Sequence, residues 1–115
     1  VPIIGLVENM SVFKCDGCGK RHSIFNGGGG ERLAARFDTE ILAKVPLEPR
    51  VAECSDEGTP IIKRDSRCES SVVFRDMARR VAQLLAIQAE ERVRNAVDRA
   101  VSQQKRVGDE SSPLH

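Results

Sequence analysis

An unbroken apolar run at residues 1–7 is the feature that most constrains the fold of this chain. The run reads Val-Pro-Ile-Ile-Gly-Leu-Val and ends at the polar residue Glu8. A strand with one wet face shows a polar residue at every second position, whereas a strand buried on both faces shows a continuous apolar run. The sequence therefore predicts that residues 1–7 form a strand inside a parallel sheet.

A second strand and two short helices are predicted in the middle of the chain. Residues 31–37 follow a glycine run and have a helical pattern, and residues 41–45 form another apolar strand. Pro49 suits the first position of a helix over residues 49–55. Residues 61–62 are too few to show a period, and we expect a brief strand or an extended segment there.

The strongest helical signal begins near Ser70. Apolar residues then recur at three- and four-residue steps as far as Leu85, and Ser70 or Ser71 is a suitable N-cap. Strands that alternate with helices predict an α/β layered domain with a parallel sheet. We assign residues 1–88 to this domain, residues 89–107 to a helical extension and residues 108–115 to a disordered tail. Because the chain opens without Met and supplies few strands, we expect a C-terminal part of a larger domain.

The overall composition excludes several classes of partner. The 115 residues include 18 basic and 17 acidic side chains, and the formal net charge is +1. A neutral balance gives no electrostatic basis for binding nucleic acid or an anionic membrane, and 3% aromatic residues provide no stacking platform. No apolar stretch approaches the roughly 20 residues of a membrane span.

Cys15 and Cys18 are the one pair of soft metal ligands that lie close together in the sequence. They sit in a Cys-Asp-Gly-Cys segment between two short strand-like stretches, which predicts a hairpin over about residues 11–26. A tetrahedral site needs four ligands, so this pair supplies half of one. Either Cys54, Cys68 or His22 completes the site, or a second copy of the chain does.

The cysteine pair has several chemical interpretations. A zinc knuckle normally pairs with a second knuckle, a redox dithiol normally starts a helix, and a cluster shared between two chains takes two thiolates from each. A pair of unliganded thiols is the fourth interpretation. The glycines at 27–30 are followed by Glu31 instead of Lys-Ser or Lys-Thr, so we interpret them as a connector and not as a phosphate loop.

Five strings, taken in order, resemble the Mrp/ApbC family of iron–sulfur cluster carrier ATPases, which are relatives of the MinD/ParA group. They are Val-Pro-Ile-Ile-Gly-Leu-Val-Glu-Asn-Met-Ser, the segment Cys15-x-x-Cys18-Gly-Lys, Ile-Phe before the glycine run, Val-Pro-Leu-Glu-Pro and Ser-Asp-Glu-Gly-Thr-Pro-Ile. The resemblance covers residues 1–88 and implies the C-terminal portion of a P-loop NTPase-type α/β/α domain with a small inserted CxxC hairpin.

The resemblance also implies roles for individual residues. Cys15 and Cys18 match the pair that holds a bridging [4Fe–4S] cluster together with the same pair of a second subunit. Asn9 matches an adenine-contacting residue, and Pro46, Leu47 and Glu48 match the loop that packs on the base of ATP. The phosphate loop and the magnesium-binding Asp of the family are not among these residues, so we expect no ATP hydrolysis by this chain alone.

The implied function is that of an ATP-dependent carrier that passes its cluster to apo iron–sulfur proteins. Its expected partners are a second copy of the chain or a related ATPase subunit. We expect a cytoplasmic location, with mitochondrion or plastid as alternatives if a transit peptide preceded Val1. The main alternative function is a zinc-binding hairpin that mediates protein–protein interaction without cluster or ATP, and a dithiol oxidoreductase is the third.

Overall fold

Residues 1–25 and 27–110 are described in the computed structural model of the chain. Asn26, at the end of the predicted hairpin segment, and residues 111–115, in the predicted tail, lie outside the described residues. The chain divides into two units, Val1–Val81 and Ala82–His115. The predicted motifs all lie in the first unit.

A parallel pair of strands lies at the centre of the first unit. Strand β1 (Leu6–Glu8) pairs with β4 (Ile41–Lys44), and helix α1 (Gly29–Arg36) packs against both strands. The mixed α/β class with a parallel sheet is therefore confirmed. β4 begins where residues 41–45 predict a strand, because an apolar run that ends at a proline is a local signal.

The predicted strand over residues 1–7 is wrong in its bounds and in its burial. β1 contains only Leu6–Glu8, since a strand extends only as far as its partner and β4 has four residues. Val1, Ile3 and Val7 are exposed. Only β4 pairs with β1 among the described residues, so one edge of the strand carries no neighbour.

Strands β2 (Val12–Lys14) and β3 (Arg21–Ser23) form an antiparallel pair. Phe13 of β2 also forms an isolated parallel bridge with Leu47, which lies just beyond β4. The Leu47 amide donates a 2.7 Å hydrogen bond to the Val12 carbonyl. This bond joins the antiparallel pair to the segment that follows the parallel sheet.

Two further short helices complete the middle of the unit. Helix α2 (Pro49–Asp56) starts with Pro49 at a first-turn position, as the sequence predicts. Helix α3 (Ile61–Arg64) replaces the predicted strand or extended segment at residues 61–62, and that prediction is wrong. The Pro60 carbonyl accepts hydrogen bonds from the amides of Lys63 and Arg64, which closes a helical turn. Ile61 is buried.

Helix α4 (Glu69–Glu110) begins one residue before Ser70. The prediction that Ser70 or Ser71 caps this helix is wrong, because both residues lie inside its first turn. The Asp65 carboxylate accepts hydrogen bonds from the amides of Arg67 and Cys68 instead. The Ser70 amide donates to Glu48, which lies 22 positions earlier in the chain.

The second unit contains the part of α4 that follows Val81. This part includes all of residues 89–107 and continues to Glu110, past the predicted start of the tail at Gly108. Leu84 is partly buried, and the other large apolar side chains of this part are exposed, namely Leu85, Ile87, Val93, Val97, Val101 and Val107. Within residues 1–25 and 27–110, no helix combines the length and the apolar character that a membrane crossing requires.

Candidate functional site

The turn between β2 and β3 brings Cys15 and Cys18 together. The Cys15 amide donates a 2.9 Å hydrogen bond to the Lys20 carbonyl, and the Gly19 amide donates a 2.7 Å bond to the Cys15 carbonyl. Gly19 has a φ of 70°, a left-handed conformation that glycine adopts without steric cost. Two backbone bonds and one glycine therefore close a turn that carries both thiols.

Both thiols of the turn are accessible and unbridged. Cys18 is exposed, Cys15 is partly exposed, and neither forms a disulfide. The backbone amides of Cys18 and Gly17 donate to the Cys15 sulfur and, with the Cys18 thiol, lower the pKa of Cys15 below its ordinary value of 9.0. Because the thiolate is the form that binds metal, this turn favours the ligating state of Cys15.

The remaining candidate ligands do not join the cysteine pair. Cys54 is buried at 3% exposure on α2, and His22 is exposed on β3. The Cys68 thiol lies 3.2 Å from the Ser71 hydroxyl. Across residues 1–25 and 27–110 no group of three or more His, Cys, Asp or Glu side chains is arranged to hold a metal ion. Among the described residues, Cys15 and Cys18 therefore have no third potential metal ligand beside them.

Asn9 lies at the carboxyl end of β1, one residue beyond Glu8. It is exposed, and its side-chain oxygen accepts a 2.9 Å hydrogen bond from the Met10 amide. Met10 has a positive φ of 53°, which turns the chain sharply after the strand. The carboxyl ends of parallel strands are where open α/β sheets bind ligands, and Asn9 lies at that edge.

Pro46, Leu47 and Glu48 follow the carboxyl end of β4 and lie beside the hairpin. Pro46 is buried and Leu47 is 38% exposed. A cavity of about 440 Å³ is lined by all three residues, by Lys14, Asp16 and Arg21 of the hairpin segment, and by Glu69. Asn9 does not line this cavity. The structure thus places the 46–48 loop against the cysteine hairpin, and Asn9 at the end of the neighbouring strand.

Arg21 and Glu69 join the hairpin to helix α4, and sequence reasoning did not identify either residue. Arg21 Nη2 lies 2.5 Å from Glu69 Oε1, and Nη1 lies 3.0 Å from Oε2. The two residues are 48 positions apart, and other charged residues lie near each of them in the sequence. No local pattern distinguishes this pair from the other 33 charged residues, 18 basic plus 17 acidic less these two.

The glycine run connects β3 to α1. Gly27 and Gly28 have φ values of 92° and 68°, and α1 begins at Gly29. Glu31, in the first turn of α1, forms an ion pair with Lys44 at the end of β4. A carboxylate at this position opposes phosphate binding, in agreement with the interpretation of the run as a connector.

Comparison with known proteins identifies the family to which this chain belongs. A family model described as "ParA: NUBPL iron-transfer P-loop NTPase" matches residues 1–82. The match spans more than half of the chain, so the chain belongs to the NUBPL iron-transfer P-loop NTPase family. The relationship to Mrp/ApbC-type proteins, predicted from short motifs, is confirmed.

Two of the relatives are named as iron-sulfur cluster carrier proteins. The chain is 41% identical over 90 residues to an iron-sulfur cluster carrier protein of Escherichia coli strain K12, a match that covers 78% of this chain and 24% of the relative. A protein of the same name from Methanocaldococcus jannaschii is 40% identical over 83 residues, 72% of this chain and 28% of the relative.

A third relative is the cytosolic Fe-S cluster assembly factor Nubp2 homolog of Anopheles gambiae. It is 39% identical over 79 residues, which is 69% of this chain and 30% of the relative. The chain thus spans less than a third of the length of these curated relatives.

Proposed function

We propose that this chain is part of an iron–sulfur cluster carrier and that Cys15 and Cys18 are its cluster ligands. The observation that carries the proposal is the exposed turn with two free thiols, one of which has a lowered pKa. Soft thiolate ligands suit iron–sulfur clusters. The names of the relatives, which refer to cluster carriage and assembly, agree with this chemistry.

The proposed cargo is a [4Fe–4S] cluster bridged between two subunits. Such a cluster takes four thiolates. The described chain supplies a pair, and a second copy or a related subunit would supply the other. The hairpin would then be an insertion in a layered α/β/α domain, placed so that its turn faces the partner subunit.

Transfer to an apo iron–sulfur protein follows from the exposure of the turn. Each acceptor thiol loses a proton and forms an iron–sulfur bond as the Cys15 or Cys18 thiolate leaves and takes up a proton. The number of ligands and the oxidation state of the iron do not change. A cluster at an accessible subunit edge can exchange its ligands in this way, whereas a buried cluster is retained.

The proposal includes a nucleotide site on the adenine side. The Asn9 amide can both donate to and accept from an adenine edge, and Pro46 and Leu47 offer apolar surface to the ring. Glu48 shapes the loop, since its carboxylate is bonded to the Ser70 amide. The sequence contains no Gly-Lys-Ser or Gly-Lys-Thr segment, so the phosphates and magnesium of ATP would be held by residues other than those of this chain.

We place the protein in a reducing compartment, with the cytoplasm as the proposed location. All four cysteines are free, and a cluster carrier needs its ligating thiols reduced before loading. Mitochondrial and plastid interiors meet the same chemical condition.

Anaerobic reconstitution with iron and sulfide tests the proposal. The wild-type chain should become a brown dimer, and the Cys15→Ser/Cys18→Ser variant should stay colourless and monomeric. Cys68→Ser is the matched control and should load like the wild type. If the double variant still forms a cluster-bearing dimer, the ligand assignment is wrong. Zinc without iron in the purified protein would instead support the zinc-binding interaction hairpin.

A further inference from the structure

The Arg21–Glu69 ion pair holds the end of the hairpin that carries the cysteines. Arg21 pairs with Lys14 across the two strands, and these are the last paired residues before the turn. Two nitrogens of Arg21 meet the two oxygens of Glu69 at 2.5 and 3.0 Å. Such a bidentate pair fixes an angle as well as a distance, which a single hydrogen bond does not.

Little else among the described contacts fixes this end of the hairpin. Its strands have three residues each, and every residue of β3 is exposed. Isolated two-stranded hairpins are marginally stable in water. The backbone bond from the Leu47 amide to the Val12 carbonyl holds the opposite end, at the start of β2. The orientation of the turn therefore depends strongly on Arg21 and Glu69.

The 46–48 loop contacts the same turn of α4 as the hairpin does. The Glu48 carboxylate accepts a 3.0 Å hydrogen bond from the Ser70 amide, and Ser70 follows Glu69 directly. Helix N-termini favour carboxylates at their unpaired amides, so Glu48 stabilises the start of the helix. Three contacts thus join these segments in pairs. Glu48 joins the loop to the start of α4, Glu69 joins α4 to the hairpin, and the Leu47–Val12 hydrogen bond joins the hairpin to the loop.

We propose that Glu69 is a positioning residue that orients the Cys15–Cys18 turn, and that Glu48 in turn sets the position of Glu69. This inference deepens the proposed function and depends on it for its biological meaning. A ligand that drew the Glu48 carboxylate away from Ser70 would release Glu69 and so loosen the cysteine turn. Cluster release would then respond to events at the 46–48 loop without any ligand touching the cysteines.

Amide hydrogen exchange in the full 115-residue chain without metal tests whether these contacts orient the turn. The reporters are the amides of Cys15 and Gly19, which close the turn. Glu69→Gln should speed their exchange about threefold, a change typical of an exposed ion pair. The Val45 amide, bonded to Glu8 in the parallel sheet, reports unfolding of the whole unit and should keep its rate.

Four further variants separate positioning from general stability. Arg21→Lys keeps the charge but loses the two-nitrogen contact with Glu69. It should therefore speed the hydrogen exchange of the turn amides nearly as much as Glu69→Gln. Glu48→Gln should also speed them, and the Glu48→Gln/Glu69→Gln double variant should show less than the product of the two single effects. Glu57→Gln breaks another half-exposed pair, Glu57–Arg64, away from the hairpin, and should change nothing.

Equal exchange in Glu69→Gln and Glu57→Gln would overturn the positioning role, and strictly multiplicative effects would overturn the link through Glu48. Glu69→Gln, Arg21→Lys and Glu48→Gln, loaded with cluster, should each transfer it about threefold faster than the wild type to an apo acceptor. Glu57→Gln should transfer it at the wild-type rate. A wild-type chain that takes up no cluster would refute the proposed function. The exchange results, which need no metal, would still test whether Glu69 positions the turn.

Discussion

Arg80 donates hydrogen bonds to the Glu40 carboxylate from two nitrogens, at 3.0 Å from Nε to Oε2 and 2.7 Å from Nη2 to Oε1. Glu40 precedes β4, and its carbonyl accepts a 2.9 Å hydrogen bond from the Leu6 amide of β1. The pair therefore fastens helix α4 to the edge where the two parallel strands meet. Its two side chains are each 41% exposed, so water and salt weaken the attraction.

We expect the stability of the first unit to fall in acid because of Glu40. The hydrogen bonds from Arg80 lower the pKa of the Glu40 carboxyl below its ordinary value of 4.5. A carboxyl with a lowered pKa stabilises the fold above its unfolded pKa and loses that contribution as the pH falls through the folded pKa. Glu40→Gln should lower the melting temperature by about 2 °C at neutral pH, and less in acid.

Thermal unfolding followed by circular dichroism between neutral pH and pH values below 4.5 measures this effect. Asp76→Asn is the matched control, since the Asp76–Arg79 pair lies within one helix and both side chains are at least 66% exposed. A constant difference between Glu40→Gln and wild type at every pH would show that the ion pair does not contribute.

Gly5→Ala should destabilise the parallel pair by about 1–3 kcal/mol, the usual cost of overpacking. A Cβ on Gly5 would lie 2.3 Å from Leu42 Cγ, a distance at which the Leu42 side chain must move. Chemical denaturation measures the loss. In Gly5→Ala/Leu42→Ala the clash is gone, so the double variant should lose less stability than the sum of the single variants. Additive losses would mean that Leu42 does not enforce the glycine.

The sequence predicts those elements whose signals are local. β4 and α2 start where an apolar run and Pro49 indicate, since each signal acts on its own neighbours. β1 is shorter than its apolar run because pairing with another strand decides where a strand ends. Residues 61–62 became helical because Pro60 accepts two amides, which a two-residue pattern cannot indicate.

The candidate site likewise combines a local feature that the sequence predicts with distant contacts that it does not predict. The two cysteines share one turn, which their spacing predicts, because only two residues separate them. Arg21 and Glu69 are 48 residues apart, and Glu48 and Ser70 are 22 apart. Contacts of this kind depend on the packing of whole elements, so the residues that orient the turn could not be found from the sequence alone.

Ser70 and Ser71 should respond in opposite ways to substitution by alanine. Both are completely buried, but the Ser71 hydroxyl donates a 2.6 Å hydrogen bond to the Asp65 carbonyl, whereas the Ser70 hydroxyl has no partner within the described residues. Ser71→Ala should cost about 1–2 kcal/mol, and Ser70→Ala should be neutral or stabilising. Urea unfolding of the two variants decides, and a larger loss in Ser70→Ala would contradict the assignment of partners.

Cys15 should react with iodoacetamide at a lower pH than an ordinary cysteine thiol does. Its pKa is lowered by amides of Cys18 and Gly17 and by the Cys18 thiol, so Cys18→Ala should raise the pKa of Cys15 by removing one of these donors while the backbone amides remain. The pH dependence of alkylation, read residue by residue by mass spectrometry, gives the titration midpoint. Cys68→Ser is the control and should leave the midpoint of Cys15 unchanged. If the midpoint stays at the ordinary 9.0 in the wild-type chain, the backbone of the turn does not stabilise the thiolate, and the ease with which this turn would take up a metal needs another source.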